Sequence, residues 1–433
     1  MAKLVDFSYL DSKTIAMSAS KYGTPHYIYD ERLILENCKK ALSMPNAFGL
    51  TIRYAMKANS NRTLLKIIHS SGLLLDSSSM NEVRRAVLAG LPLKDILLTT
   101  QELPSGEDLN ELKIMILDGL KYNVCSLNQL YNIGDFAAEN KVNLSVRIHP
   151  GTGSGESATR NTGDNYSCFG IHLSDIDKAL RYAKEKGIVF DMVHTHIGSG
   201  GDPEAWKKNI DFELDIVEKL FPDVKSVNFG GGLKIARMPD EKAADIEELG
   251  LYARDRMEEF YKKTGRKLQM EVEPGTFIIG QTGFIVTKVM DKKSTGENGY
   301  NFLVLDGGME LNTRPLLYAS RHPFHVVSKE GDLLSSEFNN EGKNFTAIPV
   351  GRCCESGDSQ SLDASGLTIP RQMGEPQVGD YFVIGGCGAY CSSMSPMNYN
   401  SHEQEAEILF TNDGDLKVIR RKQSLIQMLE NEA

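Results

Sequence analysis

Eight short β-branched or apolar runs recur through the first two thirds of the chain, each followed by a stretch with helical periodicity, and this alternation constrains the fold more than any other feature. The runs centre on Ile52 to Met56, Leu73 to Asp76, Ile96 to Thr99, Tyr122 to Ser126, Leu144 to Ile148, Phe190 to His196, Ser226 to Phe229 and Leu268 to Glu273. Amphipathic segments lie between them, for example Asn81 to Leu88, Asp175 to Lys184 and Asp211 to Leu220, separated by Gly, Pro or Asp. Strand, crossover helix and strand again is the rhythm of parallel pairing, and eight such repeats suit a closed (β/α)8, TIM-like barrel. After about residue 284 the pattern changes to strands without helices, at Phe284 to Val289, Phe302 to Leu305, Phe345 to Val350 and Asp380 to Ile384, so a C-terminal all-β domain is expected. Pro25 to Asp30 is strand-like and suited to pair with that domain. The expected organisation is an α/β chain with an N-terminal segment (1–36) contributing to the β-domain, a barrel (37–284) and the β-domain itself (285–433).

A length of 433 residues accommodates two such domains, each with its own core. The net charge of −10 argues against nucleic acid or an anionic membrane as partner, since both need clustered Lys and Arg. A small ligand is the expectation. No stretch of about eighteen uncharged apolar residues occurs, and the first residues carry no apolar core of a signal peptide, so a cytoplasmic protein is expected. The seven cysteines are scattered apart from Cys353-Cys354 and show no zinc-like spacing, which predicts reduced thiols and no metal site.

Barrels of this kind carry chemistry at the C-terminal ends of their strands. Lys57 closes the first run in Tyr54-Ala55-Met56-Lys57-Ala58-Asn59; a lysine there is either a solvated terminus or an amine pointing into the mouth. His196, in His194-Thr195-His196-Ile197-Gly198-Ser199-Gly200, is either a hydrogen-bonded structural residue or a ring poised at a strand end. Gly230-Gly231-Gly232 follows the seventh strand, where backbone N–H groups can approach a phosphate. Glu273 ends the eighth strand before the Pro274-Gly275 turn. A Schiff-base lysine, a stacking histidine, a phosphate turn and a carboxylate together match the needs of a pyridoxal 5'-phosphate (PLP) site. The Gly/Ser/Thr-rich loop from Gly151 to Tyr166 follows the fifth strand, and a loop of that length is usually functional.

These residues resemble the fold-type III PLP decarboxylases, the group that includes diaminopimelate, ornithine and carboxynorspermidine decarboxylases and shares its architecture with alanine racemase. The likeness runs nearly the whole chain. It is carried by Tyr54 to Asn59, Asp76-Ser77-Ser78-Ser79-Met80-Asn81-Glu82, Arg147-Ile148-His149-Pro150, His196 to Ser199, Gly230 to Gly232 and Glu273-Pro274-Gly275. Asp306-Gly307-Gly308-Met309, Cys354-Glu355-Ser356-Gly357-Asp358 and Gly388-Ala389-Tyr390 continue it in the same order. The resemblance implies that Lys57 holds PLP covalently, His196 stacks on its ring and Glu273 pairs with the pyridine nitrogen. Ser199, Gly230, Gly231, Gly232 and Tyr390 would hold the phosphate, with Asp76, Arg147 and Gly275 completing the cofactor site. Cys354 resembles the acid that reprotonates Cα, donated from the neighbouring subunit, which implies a homodimer with shared active sites.

The Cys354 to Asp358 segment and Arg314-Pro315-Leu316-Leu317-Tyr318 resemble the diaminopimelate branch, in which the glutamate, arginine and tyrosine grip the far end of the substrate. Arg314 offers a planar fork for a carboxylate, Glu355 an acceptor for an ammonium, and Tyr318 and Tyr390 flank them. The implied reaction is decarboxylation at a D-configured α-carbon, meso-diaminopimelate to L-lysine, in lysine biosynthesis. Three positions depart from the family pattern: Thr276 replaces the arginine of Glu-Pro-Gly-Arg, Gly200 replaces a glutamine, and Arg352-Cys353 precedes Cys354. An arginine–carboxylate bond contributes about 1.5–3 kcal/mol, so Thr276 leaves D-lysine, D-ornithine or a carboxynorspermidine-type compound open as substrates. A racemase and an inactive, regulatory relative are the competing classes; the Cys354 to Asp358 segment speaks against the first, and the presence of both Lys57 and Cys354 against the second.

Overall fold

The computed structural model describes residues 2–155, 160–199, 202–339 and 341–433. They form two compact units: Cys38–Lys234 with Ala243–Phe277, and Met1–Asn37 with Ile235–Lys242 and Ile278–Ala433. Residues 235–242, which the sequence reading kept inside an unbroken barrel segment, cluster with the second of these.

The first unit is a closed barrel of eight parallel strands: β2 (Leu50–Ala55), β3 (Leu74–Ser77), β4 (Ile96–Leu98), β5 (Lys121–Val124), β6 (Leu144–Arg147), β7 (Phe190–His194), β8 (Ser226–Asn228) and β9 (Gln269–Val272). β1 is the earlier strand His26–Asp30 of the other unit. All eight expected runs are strands, and β9 closes on β2 with Leu50 opposite Met270 and Ile52 opposite Val272. The outer helices start where the sequence supplies caps: Ser79 accepts the Glu82 N–H and the Glu82 carboxylate accepts the Ser78 N–H, so only two residues separate β3 from the helix Met80–Leu88. Ser126 and Gln129 do the same after β5.

Strand alternation sends Ile52, Tyr54, Val193 and Val227 to one face, all buried, and polar residues to the other. The Asn123 amide on β5 reaches His194 on β7 across the intervening β6, a span that only the barrel interior allows. That interior is therefore polar. Lower in the barrel, Arg53 on β2 donates to Glu271 on β9 at 2.5 Å, both essentially inaccessible.

The second unit is built on a ten-stranded mixed sheet. Its strands are β1, β10 (Gly283–Ser294), β11 (Asn301–Leu305), β12 (Phe324–Val327), β13 (Leu333–Ser336), β14 (Phe345–Val350), β15 (Arg371–Met373), β16 (Tyr381–Ile384), β17 (Ala406–Phe410) and β18 (Leu416–Arg420). β1 pairs antiparallel with β10 and parallel with β17, so the N-terminal segment is an interior strand of this sheet, as its Pro25 to Asp30 pattern suggested. The helix Ser12–Tyr22 lays Ile15 and Ala19 into a core with Ile28, Phe284, Val286, Val383 and Ile408. The unit thus carries a helix that its strand-rich sequence pattern did not announce.

The Arg53–Glu271 pair gives a test. Removing one member leaves an uncompensated buried charge, so Glu271→Ala is expected to destabilise the barrel by about 3–5 kcal/mol, seen as a lower urea midpoint. Replacing both by Met and Leu is expected to recover most of that loss.

Candidate active site

At the C-terminal mouth of the barrel, Lys57 lies on the short 3-10 turn Met56–Ala58, directly after β2 rather than within it. Its side chain is exposed, and its charge bears on Asp76, His194, His196 and Glu273. Asp76 on β3 is buried, with Oδ1 lacking any hydrogen-bond partner. Burial, reinforced by the Glu273 charge, pushes its carboxyl well above the usual range.

Glu273, one residue past β9, is just as enclosed but ends in the opposite state. Asn228 Nδ2 donates to its Oε1 at 2.7 Å, and His194 Nε2 stands 3.2 Å from its Oε2. Burial works to raise its pKa, but the His194 ring and its bond, with His196 and Lys57 behind, outweigh burial and hold the carboxyl below the usual range. Asn123 Nδ2 lies 2.8 Å from His194 Nδ1, an assignment of the amide that leaves the imidazole proton on Nε2, facing Glu273. Asn228 is itself fixed: its Oδ1 accepts the Gly230 N–H, and its own N–H goes to Glu213, whose other oxygen takes the Thr195 hydroxyl.

His196 lies two residues beyond the end of β7. The Gly231 N–H donates to its Nδ1 at 3.0 Å, and burial together with Lys57 and Arg147 pushes its pKa well down, so the ring is neutral. The triple glycine is required sterically. A Cβ on Gly231 would lie 2.5 Å from the Glu273 carbonyl and one on Gly232 2.7 Å from that of Gly198, while Gly230 and Gly232 adopt φ of +68° and +102°. The result is a side-chain-free turn beside the carboxylate and the imidazole. Such a cradle, with a buried unpaired Asp76 oxygen across the mouth, fits a phosphate-bearing ring.

Arg147 closes β6 with its guanidinium 5.0 Å from the Phe169 ring. His149 accepts the Gly151 N–H on Nδ1 and presents Nε2 to the carbonyls of Asp164 and Ser167, tying down both arms of the long loop. Ser154 and Thr162 donate to the Ile197 carbonyl, and Ser199 donates to that of Arg160, so the loop braces the segment from His196 to Ser199. Gly200, and residues 156–159 of the loop, lie outside the described residues. Gly275 is buried, and Thr276 opens the short helix Thr276–Ile279.

The other expected residues belong to the β-rich unit. Arg314 is 1% exposed; its Nη2 donates to Ser320 Oγ, its Nε has no partner, and its guanidinium lies 5.8 Å from the Tyr318 ring and 6.0 Å from that of Tyr390. Cys354 is exposed on a turn where its N–H donates to Asn400 Oδ1, while neighbouring Cys353 is buried against Glu310. Glu355, also exposed, accepts from Ser356 and Gly357. Sequence reasoning missed His194, Asn228, Asn123 and Glu213. The first three are polar residues on the face of their strands opposite Val193, Val227 and Tyr122, a pattern that marks an inward face.

The family model for the pyridoxal-dependent decarboxylase, pyridoxal binding domain, matches residues 34–280. The chain belongs to the pyridoxal-dependent decarboxylases. As a member it uses PLP. It is 30% identical over 427 residues to diaminopimelate decarboxylase of Escherichia coli strain K12, covering 97% of this chain and 96% of that one. The enzyme of the same name from Methanothermobacter thermautotrophicus is 30% identical over 429 residues, with 96% and 92% covered. Among solved structures, a diaminopimelate decarboxylase superposes with a TM-score of 0.88 at 28% identity, covering 100% of this chain and 99% of that one. The Helicobacter pylori diaminopimelate decarboxylase complexed with L-lysine gives 0.78 at 25% identity, over 95% and 98% of the chains.

The electrostatics of this decarboxylase site can be checked by titration. Because its folded-state pKa is depressed, Glu273 stays ionised down to pH values below the usual carboxylate range, and the stability it contributes disappears only as the pH falls through that depressed value. In His194→Leu the main force lowering that pKa is gone. The acid limb of the kcat/KM profile is expected to move to higher pH; a limb that stays in place would show that His194 does not govern Glu273.

Proposed function

We propose that the chain removes the carboxylate from the D-configured centre of meso-diaminopimelate and releases L-lysine and carbon dioxide. The observation that carries this reading is a carboxylate, Glu273, kept ionised in a buried mouth beside Lys57 and a side-chain-free glycine turn. PLP, when bound, supplies the electron-accepting ring that takes up the pair left as the Cα–carboxylate bond breaks. Glu273 is suited to pair with the ring nitrogen and keep it protonated, because His194 and Asn228 prevent the carboxyl itself from holding the proton. Neutral His196 offers a flat face for the ring, and Lys57 the amine for covalent attachment. Gly230, Gly231, Gly232, Ser199 and Tyr390 are assigned to the phosphate, with Asp76, Arg147 and Gly275 completing that site.

At the reacting carbon, Cys354 is assigned the return of a proton after carbon dioxide leaves. Its exposure supports delivery into a second subunit, and hence a homodimer. Arg314, with Tyr318 and Tyr390 against its guanidinium, suits a distal carboxylate, and Glu355 a distal ammonium. Thr276 and Tyr390 complete the set assigned to the substrate. All seven cysteines are free, which supports a reducing, cytoplasmic location.

Thr276 favours a second reading, in which the substrate lacks the distal carboxylate and is D-lysine or D-ornithine. Measuring carbon dioxide from meso-diaminopimelate, D-lysine, D-ornithine, L-lysine and carboxynorspermidine separates the two; preference for either D-monocarboxylate would overturn the first. Lys57→Ala is expected to abolish both turnover and the visible absorbance of the purified protein. Mixing inactive Lys57→Ala with inactive Cys354→Ala is expected to restore up to about one quarter of wild-type activity, since one site of each mixed dimer is then intact. No recovery on mixing would rule out shared sites.

A further inference from the structure

The β-rich unit holds a cavity of about 600 Å³ that the reading above does not use. Its walls come from residues 238–240, 320–321, 337–339 and 360–362, with Lys343, Ile369 and Arg371. All of these belong to that one unit, and none is assigned above to cofactor or substrate. A concavity of this size suits a small metabolite, since ligand sites commonly measure about 300–1,000 Å³.

Two donors in the wall have hydrogen-bonding capacity to spare. Gln360 is 1% exposed; Asn312 Nδ2 donates to its Oε1 at 3.1 Å, and its Nε2 has no hydrogen-bond partner among the described residues. The Cys391 thiol donates to Asn312 Oδ1, so contacts orient both amides. Lys343 Nζ donates to the Glu337 carbonyl at 3.2 Å and forms no ion pair with a carboxylate among the described residues. The other charges in the wall are matched. Arg321 makes two 2.9 Å bonds to Asp240, with Glu241 behind at 3.4 Å, and Arg371 bonds Glu337 at 2.6 Å. Beside these groups stand Phe338, Leu362 and Ile369, the last 40% exposed. An amide donor and a spare ammonium call for an acceptor with negative charge, and the apolar wall for a hydrocarbon body.

We infer that this cavity binds a small organic monocarboxylate with an apolar body, with Lys343 Nζ and Gln360 Nε2 as donors to the carboxylate and Phe338, Leu362 and Ile369 against the body. The ammonium keeps its bond to the Glu337 carbonyl and has further protons to offer, and the Gln360 amide has both of its own. Ser320, also in the wall, accepts from Arg314 Nη2, and Gln360 is tied to Asn312 two residues before that arginine. The occupant therefore adjoins the segment that carries Arg314. The site stands whichever amino acid the barrel decarboxylates.

Calorimetric titration of the holoenzyme with 3-phenylpropionate provides the test. The controls are 3-phenylpropan-1-ol, which keeps the body without the charge, and acetate, which keeps the charge without the body. Saturable binding of the acid is expected, tighter than that of either control. In Lys343→Gln its dissociation constant is expected to rise on the order of tenfold, and that of the alcohol to stay within about twofold. Gln360→Glu keeps the acceptor for Asn312 and turns the free donor into a second acceptor, so it is expected to weaken the acid at least as much. Should that buried change unfold the protein, the half-buried Lys343→Gln carries the test alone; it is expected to keep the wild-type thermal midpoint and the visible absorbance of the bound cofactor. No saturable binding to the wild-type protein, an acid no tighter than its controls, or equal affinity of wild type and Lys343→Gln for the acid overturns the inference.

Discussion

A carboxylate that is both buried and ionised is the condition on which this site depends. Transfer of an isolated carboxylate out of water is costly enough that the group ordinarily takes up a proton instead. Asp76 follows that course: it sits at the same mouth with one oxygen unpaired, and its pKa is driven upward. Glu273 escapes it because two groups reach it from different strands: Asn228 on β8 donates to one oxygen, and the His194 ring on β7 stands 3.2 Å from the other. The two carboxyls differ in state because they differ in donors, and the barrel supplies those donors only to one.

The donors are in turn held by a polar chain that crosses the barrel interior. Asn123 fixes the tautomer of His194, and Glu213 fixes Asn228 while also engaging Thr195 on the loop that carries His196. Asn209 adds a further donor to Thr195. The same Asn228 side chain that clamps Glu273 also accepts from Gly230, so carboxylate and glycine turn share one anchor. In the proposed assignment the ring nitrogen and the phosphate are thus coupled through a single amide, and a change at Asn228 is expected to disturb both carboxylate and glycine turn.

The strand runs were legible because burial on the outer face of each strand leaves a dense apolar signature, and all eight fell where the sequence put them. Lys57, His196 and Glu273 were legible as polar residues at run ends. His194, Asn123 and Asn228 were not, since a polar residue within a short strand looks like tolerated noise until the partner strand is known. The N-terminal helix Ser12–Tyr22 was also obscure, because its buried stripe is short and includes the polar Ser12 and Ser18 beside small Ala16 and Ala19.

Adjacent thiols at Cys353 and Cys354 show how a loop can present one cysteine and retire the other. Cys353 faces inward, where burial and the Glu310 charge push its thiol up, and it donates to that carboxylate. The Asp358 carboxylate receives the backbone N–H groups of Met309 and Cys353, an approach possible only because a Cβ on Gly308 would fall 2.0 Å from its Oδ1. Glu310, Cys353 and Asp358 place ligand-type atoms within 4.8 Å of one another. Their oxygens are nonetheless engaged: Glu310 by Arg352, the Gly308 N–H and Cys353, and Asp358 by its two backbone donors. The cluster works as a brace, with Arg352 extending it to Glu405. Its effect is to tie down the turn at Cys354 while leaving that thiol exposed, as the proposed proton donation into a second subunit requires.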